Sequence, residues 1–237
     1  MKLEGISDIR GEILVETGLH VGAGDLEMRI GGVDRATMRD PRTAKPYVPG
    51  SSLKGKIRSL LEWRSGSVTA EPLGRKQLEA SVGQPNEREV RAIVQLFGVS
   101  GDADFDEATA LRIGPTRVSF HDARMVDDGP GSNLPAIEVK SENRIDRIRG
   151  VAENPRQTER IAAGVRLAFR VTVKRLEGDG DLVTTLLEGM RLLELDSLGG
   201  SGSRGYGKVS FKGLSLDGAD IQDRFASIDP FRRDLVA

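Results

Sequence analysis

Residues 165–174, VRLAFRVTVK, set Val165, Leu167, Phe169, Val171 and Val173 against Arg166, Arg170, Thr172 and Lys174. A period of two with one apolar and one polar face is the pattern of a β-strand whose sheet is buried on a single side. Such a sheet needs a covering layer. Two amphipathic helices are available to supply it. Ser51–Trp63 gathers Leu53, Ile57, Leu60 and Leu61 on one stripe with Lys54 and Arg58 opposite, and Ser51 or Ser52 follows Pro49-Gly50 as a candidate cap. Asp181–Leu195 carries Leu182, Leu186, Leu187, Met190 and Leu193. Weaker strands are predicted over Glu12–Val21, Arg117–Ala123 and Lys208–Leu216, the last with Gly213 as a bulge. A third helix, Asn86–Phe97, has Asn86 as cap, Glu89 at the capping-box position and Gly98 as stop.

With that third helix treated as an insertion, the order is strand, helix, strand, strand, helix, strand. This predicts an α+β chain with a ferredoxin-like (RRM-like) βαββαβ core. One domain spans residues 1–237, with core elements at about 12–21, 51–64, 117–123, 165–174, 181–195 and 208–216. Long insertions fall at about 22–50, 65–111 and 124–161, and insertions of that length in a compact domain are usually functional.

Composition narrows the chemistry. The chain has no cysteine, which removes disulfides, thiolate metal sites and cysteine nucleophiles together. Its only imidazoles are His20 and His121. No apolar run approaches the ~20 residues of a membrane span, and the charged start MKLEGISDIRGE lacks the apolar stretch of a secretory signal. A cytoplasmic protein with no membrane partner is expected. The formal net charge is -1, yet the charge is segregated. Residues 39–64 carry seven basic side chains and two acidic ones, whereas residues 177–196 carry six acids and one base. That distribution can present one basic face, or the two segments can fold against each other and cancel.

Several motifs fail on inspection. Gly50-Ser-Ser-Leu-Lys-Gly55-Lys56 and Gly202-Ser-Arg-Gly-Tyr-Gly207-Lys208 approximate a P-loop, but Ile57 and Val209 replace the magnesium-holding hydroxyl. Asp102, Asp104 and Asp106 begin like a calcium loop that then places Glu107 where glycine is needed. What survives is anion chemistry without a triphosphate. Pro49-Gly50-Ser51-Ser52 opens a helix, so free N–H groups and the positive dipole end can receive a phosphate, with Lys54, Lys56 and Arg58 beside them. The alternative is a solvated helix face. The loop Leu198–Gly207 holds five of the 29 glycines and can approach a sugar-phosphate closely. Within it Gly200, Ser201, Gly202, Ser203 and Gly205 are backbone donors, Arg204 supplies charge and Tyr206 a ring for stacking; otherwise it is a flexible connector. The stretch from Glu138 to Arg160, with Lys140, Asn143, Arg144 and Arg147, is dense in groups that match single-stranded RNA, or is a solvated charged loop. Asp34, after Ile30-Gly31-Gly32-Val33, is either a turn residue or, near bound RNA, a ligand for a divalent ion.

These residues resemble a known family, the repeated backbone subunit of the Csm complex, the type III-A CRISPR effector, in the RAMP superfamily. The segments that carry the resemblance are TGLHVGAG (17–24), IGGVDRATMRDP (30–41), PYVPGSSLKGKIRSLLE (46–62), LFG (96–98), EVKSENRIDRIRGVAENPRQTER (138–160) and LGGSGSRGYGKVSF (198–211). The resemblance implies a stack of copies along the CRISPR RNA, in contact with other Csm subunits. It also implies a thumb hairpin within residues 124–160 that splays the guide–target duplex. Asp34 matches the family's catalytic aspartate, which cuts target RNA with magnesium or another divalent cation. His20, Lys54, Arg58 and the 200–206 loop match positions near the guide. Some relatives have a cysteine-rich zinc site; without cysteine, no zinc is expected here. Two other readings stay open: an RNA-binding scaffold in which Asp34 is a turn residue, and a guide-processing endonuclease, which would normally need an imidazole at the scissile bond.

Overall fold

The apolar face of VRLAFRVTVK lies at the centre of the molecule. The structure, a computed structural model, describes residues 2–22, 34–99, 107–127 and 135–231. Its strands are β1 Leu3–Val15, β2 Tyr47–Val48, β3 Val118–Phe120, β4 Ala123–Arg124, β5 Ile137–Ile145, β6 Ala152–Ile161, β7 Arg166–Leu176, β8 Val209–Leu216 and β9 Ala219–Asp220. Its helices are α1 Gly50–Ser65, α2 Arg75–Ala80, α3 Glu87–Phe97, α4 Glu107–Ile113, α5 Leu182–Leu195 and α6 Gln222–Ala226. The fold is mixed α/β. β1 pairs antiparallel with β7 on one side and β8 on the other, in a five-stranded sheet ordered β3-β7-β1-β8-β9.

Alternation buries one face of that sheet. Ile9 and Ile13 of β1, Leu167, Phe169, Val171 and Val173 of β7, and Phe211 of β8 join Leu53, Ile57 and Leu61 of α1 and Leu186, Leu187 and Met190 of α5 in one core. The helices pack closely because residue 189 is glycine: a Cβ there would lie 2.7 Å from Ile57 and 2.8 Å from Leu61. Phe169, Phe211 and Phe225 close the core edge to face, with centroids 4.9 and 5.9 Å apart.

The structure departs from the sequence reading at several places, each with a physical cause. β1 starts at Leu3, well before Glu12, because its backbone pairs with β7 along its whole length, joined by β8 from Ile9 onward, and that ladder holds the strand even where Asp8 and Arg10 weaken the apolar pattern. Residues 16–21 leave the sheet instead of extending it. The strand expected over 117–123 splits into β3 and β4, and Asp122 between them accepts the Gly50 N–H at 2.9 Å. That carboxylate stands where Ser51 or Ser52 was expected to cap; α1 begins with Pro49 at its cap position and no side-chain cap bond. Gly50 is required there, since a Cβ would sit 2.6 Å from the Phe120 carbonyl oxygen. In α3, Asn86 donates instead to the Ser65 carbonyl and Ser67 Oγ, and Glu89 pairs with Arg64, so no capping box forms. Asp181 does cap α5, accepting the Thr184 N–H at 3.0 Å. Gly213, at φ +60, lies where the β1–β8 register shifts.

The segregated charges cancel in part. α1 packs beside α5, and Lys56 pairs with Asp196 at 2.6 Å and Arg64 with Glu188 at 2.8 Å. Arg117 is 3% exposed. Its guanidinium makes bonds of 2.8 and 3.1 Å to Asp179 and also donates to the Ile113 and Pro115 carbonyls. The Asp102–Asp106 segment lies outside the described residues. No helix among the described residues is long and apolar enough to cross a membrane.

Candidate nucleic-acid interface

The third insertion contains an antiparallel hairpin, β5–β6, paired from Ile137↔Ile161 to Ile145↔Ala152. Segments distant in sequence gather along the free edge of β6. Leu19 and Ile161 exchange backbone hydrogen bonds of 2.9 and 2.7 Å. The Arg35 N–H donates to the Gln157 carbonyl at 3.2 Å, and the Glu159 N–H donates to the Arg35 carbonyl at 2.9 Å. On the opposite side of residues 18–20 stands the glycine-rich loop. The Gly200 N–H donates to the His20 carbonyl at 3.0 Å and the Gly207 N–H to the Gly18 carbonyl at 3.1 Å. Gly199, at φ +75, makes this approach possible, because a Cβ would stand 2.2 Å from the His20 carbonyl oxygen.

Asp34 is exposed at this junction. Its Oδ2 accepts the Gln157 N–H at 2.7 Å, while Oδ1 has no partner among the described residues. Ile30–Val33, which precede it, lie outside the described residues. His20 Nδ1 is 2.8 Å from the Glu159 carbonyl oxygen. A carbonyl only accepts, so Nδ1 carries a proton, and Nε2, which has no partner among the described residues, is left to face an incoming ligand. Gln157 and Glu159 are alternate residues of one strand, so the two residues that anchor Asp34 and His20 are about 7 Å apart from Cα to Cα. The Glu159 carboxylate is committed to structure: Oε2 accepts the Thr37 N–H at 3.1 Å and Oε1 accepts Arg39 at 2.8 Å. His121 is not part of this junction; its N–H donates to the Arg170 carbonyl.

No group of three or more His, Cys, Asp or Glu among the described residues could hold a metal ion. Asp34 offers one free carboxylate oxygen. That suits magnesium bound by a single carboxylate with substrate phosphate and water completing the shell, a usual mode for this ion.

The other predicted contact residues divide into free and committed groups. Ser51 is exposed and Ser52 donates its N–H to the Pro49 carbonyl. Lys54 is half-buried with no hydrogen bond or ion pair among the described residues. Burial, and secondarily the positive charge of Arg58, push its ammonium pKa down. Lys56 and Arg58 are not free cations. Lys56 pairs with Asp196, and Arg58 pairs with the buried Glu62 at 2.6 Å and donates to the Leu73 carbonyl at 2.7 Å. Helix packing on the flanks of α1 accounts for both. On the hairpin, Asn143, Arg144 and Arg147 are exposed, and Ile148 at the tip is 97% exposed. Asp146 holds the tip by accepting the Ile148 and Arg149 N–H groups, each at 2.8 Å.

In the glycine-rich loop, Gly202, Ser203 and Arg204 form a short 3₁₀ turn, with Gly200 and then Ser201, at φ +62, before it and Gly205 after it. The expectation of an open Tyr206 ring is corrected. Tyr206 is 2% exposed, with Lys140 Nζ 4.5 Å and the Arg160 guanidinium 4.4 Å from its ring centroid. Its hydroxyl donates to Glu142 at 2.9 Å, and Arg204 donates to the other Glu142 oxygen at 2.7 Å. A concavity of about 600 Å³ opens beside this cluster, lined by Glu142, Asn143, Arg144, Asn154, Arg156 and Arg204. Glu142, Gln157 and Glu159 escaped the sequence reading. Within a charged stretch nothing local separates a carboxylate that clamps a distant loop from one that is merely solvated.

Comparison with known proteins agrees with this geometry. Residues 12–210 match the profile of the RAMPs, the RAMP superfamily. The chain is similar to the CRISPR system Cms endoribonuclease Csm3 of Methanothermobacter thermautotrophicus, 38% identical over 225 residues that cover 88% of this chain and 84% of that protein. The protein of the same name from Methanocaldococcus jannaschii is 36% identical over 219 residues, covering 91% and 82%. Among solved structures, the crystal structure of a Csm3–Csm4 subcomplex in the type III-A CRISPR-Cas interference complex superposes with a TM-score of 0.55 at 29% identity, covering 91% of this chain and 80% of that one. The clamped 18–22 segment, the Asp34 segment, the charged hairpin and the glycine-rich loop thus fall inside a likeness spanning nearly the whole chain, which belongs to the RAMP superfamily and, within it, to the Csm3 family.

Proposed function

We propose that the chain is the repeated backbone subunit of a type III-A interference complex, binds CRISPR RNA, and cuts guide-complementary target RNA at Asp34 with a divalent cation. The observation that carries this reading is the convergence of Asp34 and His20 on one edge of β6. The naming of the relatives as endoribonucleases supports the activity. The order β3-β7-β1-β8, with α1 and α5 as the crossing helices, supports a ferredoxin-like core. The β5–β6 hairpin, with Arg144, Arg147 and Ile148 exposed toward its tip, fits the thumb. Other Csm subunits and further copies of this chain in a helical stack are the protein partners of this reading.

The residues present have defined tasks in such a reaction. Gln157 holds Asp34 by one oxygen, so the other faces the RNA. Magnesium held there would stabilise charge on the scissile phosphate. Once the target strand is unstacked, its 2′-oxygen bonds to phosphorus as the 5′-oxygen bond breaks. This leaves a 2′,3′-cyclic phosphate and a 5′-hydroxyl, with protons exchanged with water. His20 Nε2 accepts a hydrogen bond from an RNA hydroxyl, and Arg35, exposed beside Asp34, faces the phosphate.

The test is incubation of the assembled wild-type complex with complementary and non-complementary RNA, in magnesium and in chelator. Regularly spaced products confined to the complementary strand and lost in chelator are expected. No cutting, or equal cutting of both strands, contradicts the reading. The second reading, a scaffold without chemistry, draws on the Asp34–Gln157 bond, which a purely structural turn would also make.

Lys54 supplies a separate prediction. An ammonium held half-buried without a partner gains most when an external anion arrives. Lys54→Met should weaken guide binding about tenfold at fixed salt and leave the melting temperature unchanged or slightly raised. A melting temperature that falls while affinity holds would make Lys54 structural.

A further inference from the structure

We infer that Tyr206, Arg204 and Glu142 form a latch through which the glycine-rich loop sets the attitude of the β5–β6 hairpin, and with it the geometry at Asp34 and His20. Only its activity readout rests on the nuclease reading above. The loop's one aromatic side chain, Tyr206, is buried, and its hydroxyl is committed to the hairpin. Both Glu142 oxygens are occupied, Oε1 by Tyr206 and Oε2 by Arg204, with Lys140 Nζ 3.9 Å away. The Tyr206 bond first, and then Arg204, hold the Glu142 carboxyl below its ordinary range, so it stays ionised as the acceptor. Burial, then Glu142 itself, push the phenol upward, so it stays a donor.

The grip takes in both strands. Lys140 and Glu142 are on β5 and Arg160 is on β6, and the two cations flank the Tyr206 ring. Gly18 fits beneath the Arg160–Glu138 pair, where a Cβ would lie 2.4 Å from Arg160 Nε. Just past the latch the hairpin loses regularity. The register shifts between Glu142 and Arg144, opposite Asn154 at φ +51, which is where a bulge bends a ribbon. The latch therefore holds the last regular pair, Glu142↔Arg156. On the other edge of the same hairpin, Gln157 and Glu159 anchor Asp34 and His20. The loop also holds residues 18 and 20 directly, through Gly207 and Gly200. It thus touches both sides of the joint, and rotation of the hairpin against it would part Asp34 from His20. Tyr206 and Glu142 are positioning residues in this scheme, acting through the hairpin without touching the reacting atoms.

The experiment uses the assembled ribonucleoprotein with Tyr206→Phe, which keeps the ring beneath its two cations and removes only the hydroxyl. Three quantities are read: amide exchange over residues 137–161, the single-turnover cleavage rate, and guide and target affinities. The latch predicts about tenfold faster exchange in β5 and β6, with β1, β7 and β8 unchanged, the loss expected for one bond to a charged group. The cleavage rate should fall by about the same factor with affinities within about twofold, and adding Glu142→Gln should cost little more, since the two act as a unit. Glu142→Gln alone carries the same test if Tyr206→Phe does not assemble. Wild-type exchange with wild-type cutting overturns the latch; so does weakened RNA affinity with unchanged exchange, which would make Tyr206 an RNA contact. Because exchange is read without chemistry, the latch can stand or fall independently of where cleavage occurs.

Discussion

Replacing Asp34 by asparagine lowers the single-turnover rate of target cleavage by the assembled complex about 10³-fold, within the range for loss of a principal acid–base or metal-orienting carboxylate. Guide and target affinities stay within about twofold. Asparagine is the informative change because its carbonyl oxygen can still accept the Gln157 N–H that Asp34 Oδ2 accepts at 2.7 Å. The loop keeps its tether and loses only the charge. Asp34→Ala removes the tether as well, but at an exposed site where water can satisfy the freed N–H. Equal losses in the two variants place the effect in chemistry. A loss in alanine alone would place it in loop geometry and favour the scaffold.

Replacing Arg117 by alanine destabilises the fold by about 3–5 kcal/mol, because it strands a buried carboxylate, and lowers the melting temperature of the full chain by roughly 10 °C. Arg117 and Asp179 have side chains only 2% and 8% exposed. Burial pushes the Asp179 carboxyl up, but the Arg117 bonds and the Leu176 N–H outweigh it and bring the pKa below its ordinary 3.8. A pKa depressed on folding contributes stability that is complete above the unfolded value and fades as pH falls through the folded one. Asp179→Asn should therefore cost most at neutral pH and least in acid, below about pH 4. A neutral-pH melting temperature unchanged by Arg117→Ala would show that the pair contributes nothing net.

Elements with long apolar periods were legible in the sequence. The alternation of residues 165–174 marks β7, and the stripes in α1, α3 and α5 placed those helices to within two residues at each end. What was not legible depended on distant partners. Asp122 reaches the start of α1 from 72 residues away, so a local reading assigned the cap to the adjacent serines. The basic run around Lys54 looked like one charged face until α5 brought Asp196 and Glu188 alongside it. In the site, the glycine-rich loop and Asp34 stood out from their own residues, and the roles of Asp34 and His20 came from the resemblance to a family, whereas Gln157 and Glu159, which hold those two, had no local signature. Tyr206 shows the limit of residue-type reasoning. An aromatic between glycines suggests a stacking platform, yet this ring is buried against the hairpin by two cations.

The measurement that bears most directly on the central claim is the product pattern from one end-labelled, guide-complementary RNA, cut side by side by complexes built wholly from wild-type chain and wholly from the Asp34→Asn chain. The account predicts a ladder of constant spacing in the wild type, and intact but fully bound RNA in the variant. The same ladder at the same rate from a fully assembled Asp34→Asn complex would contradict it and make this chain the frame on which another subunit cuts.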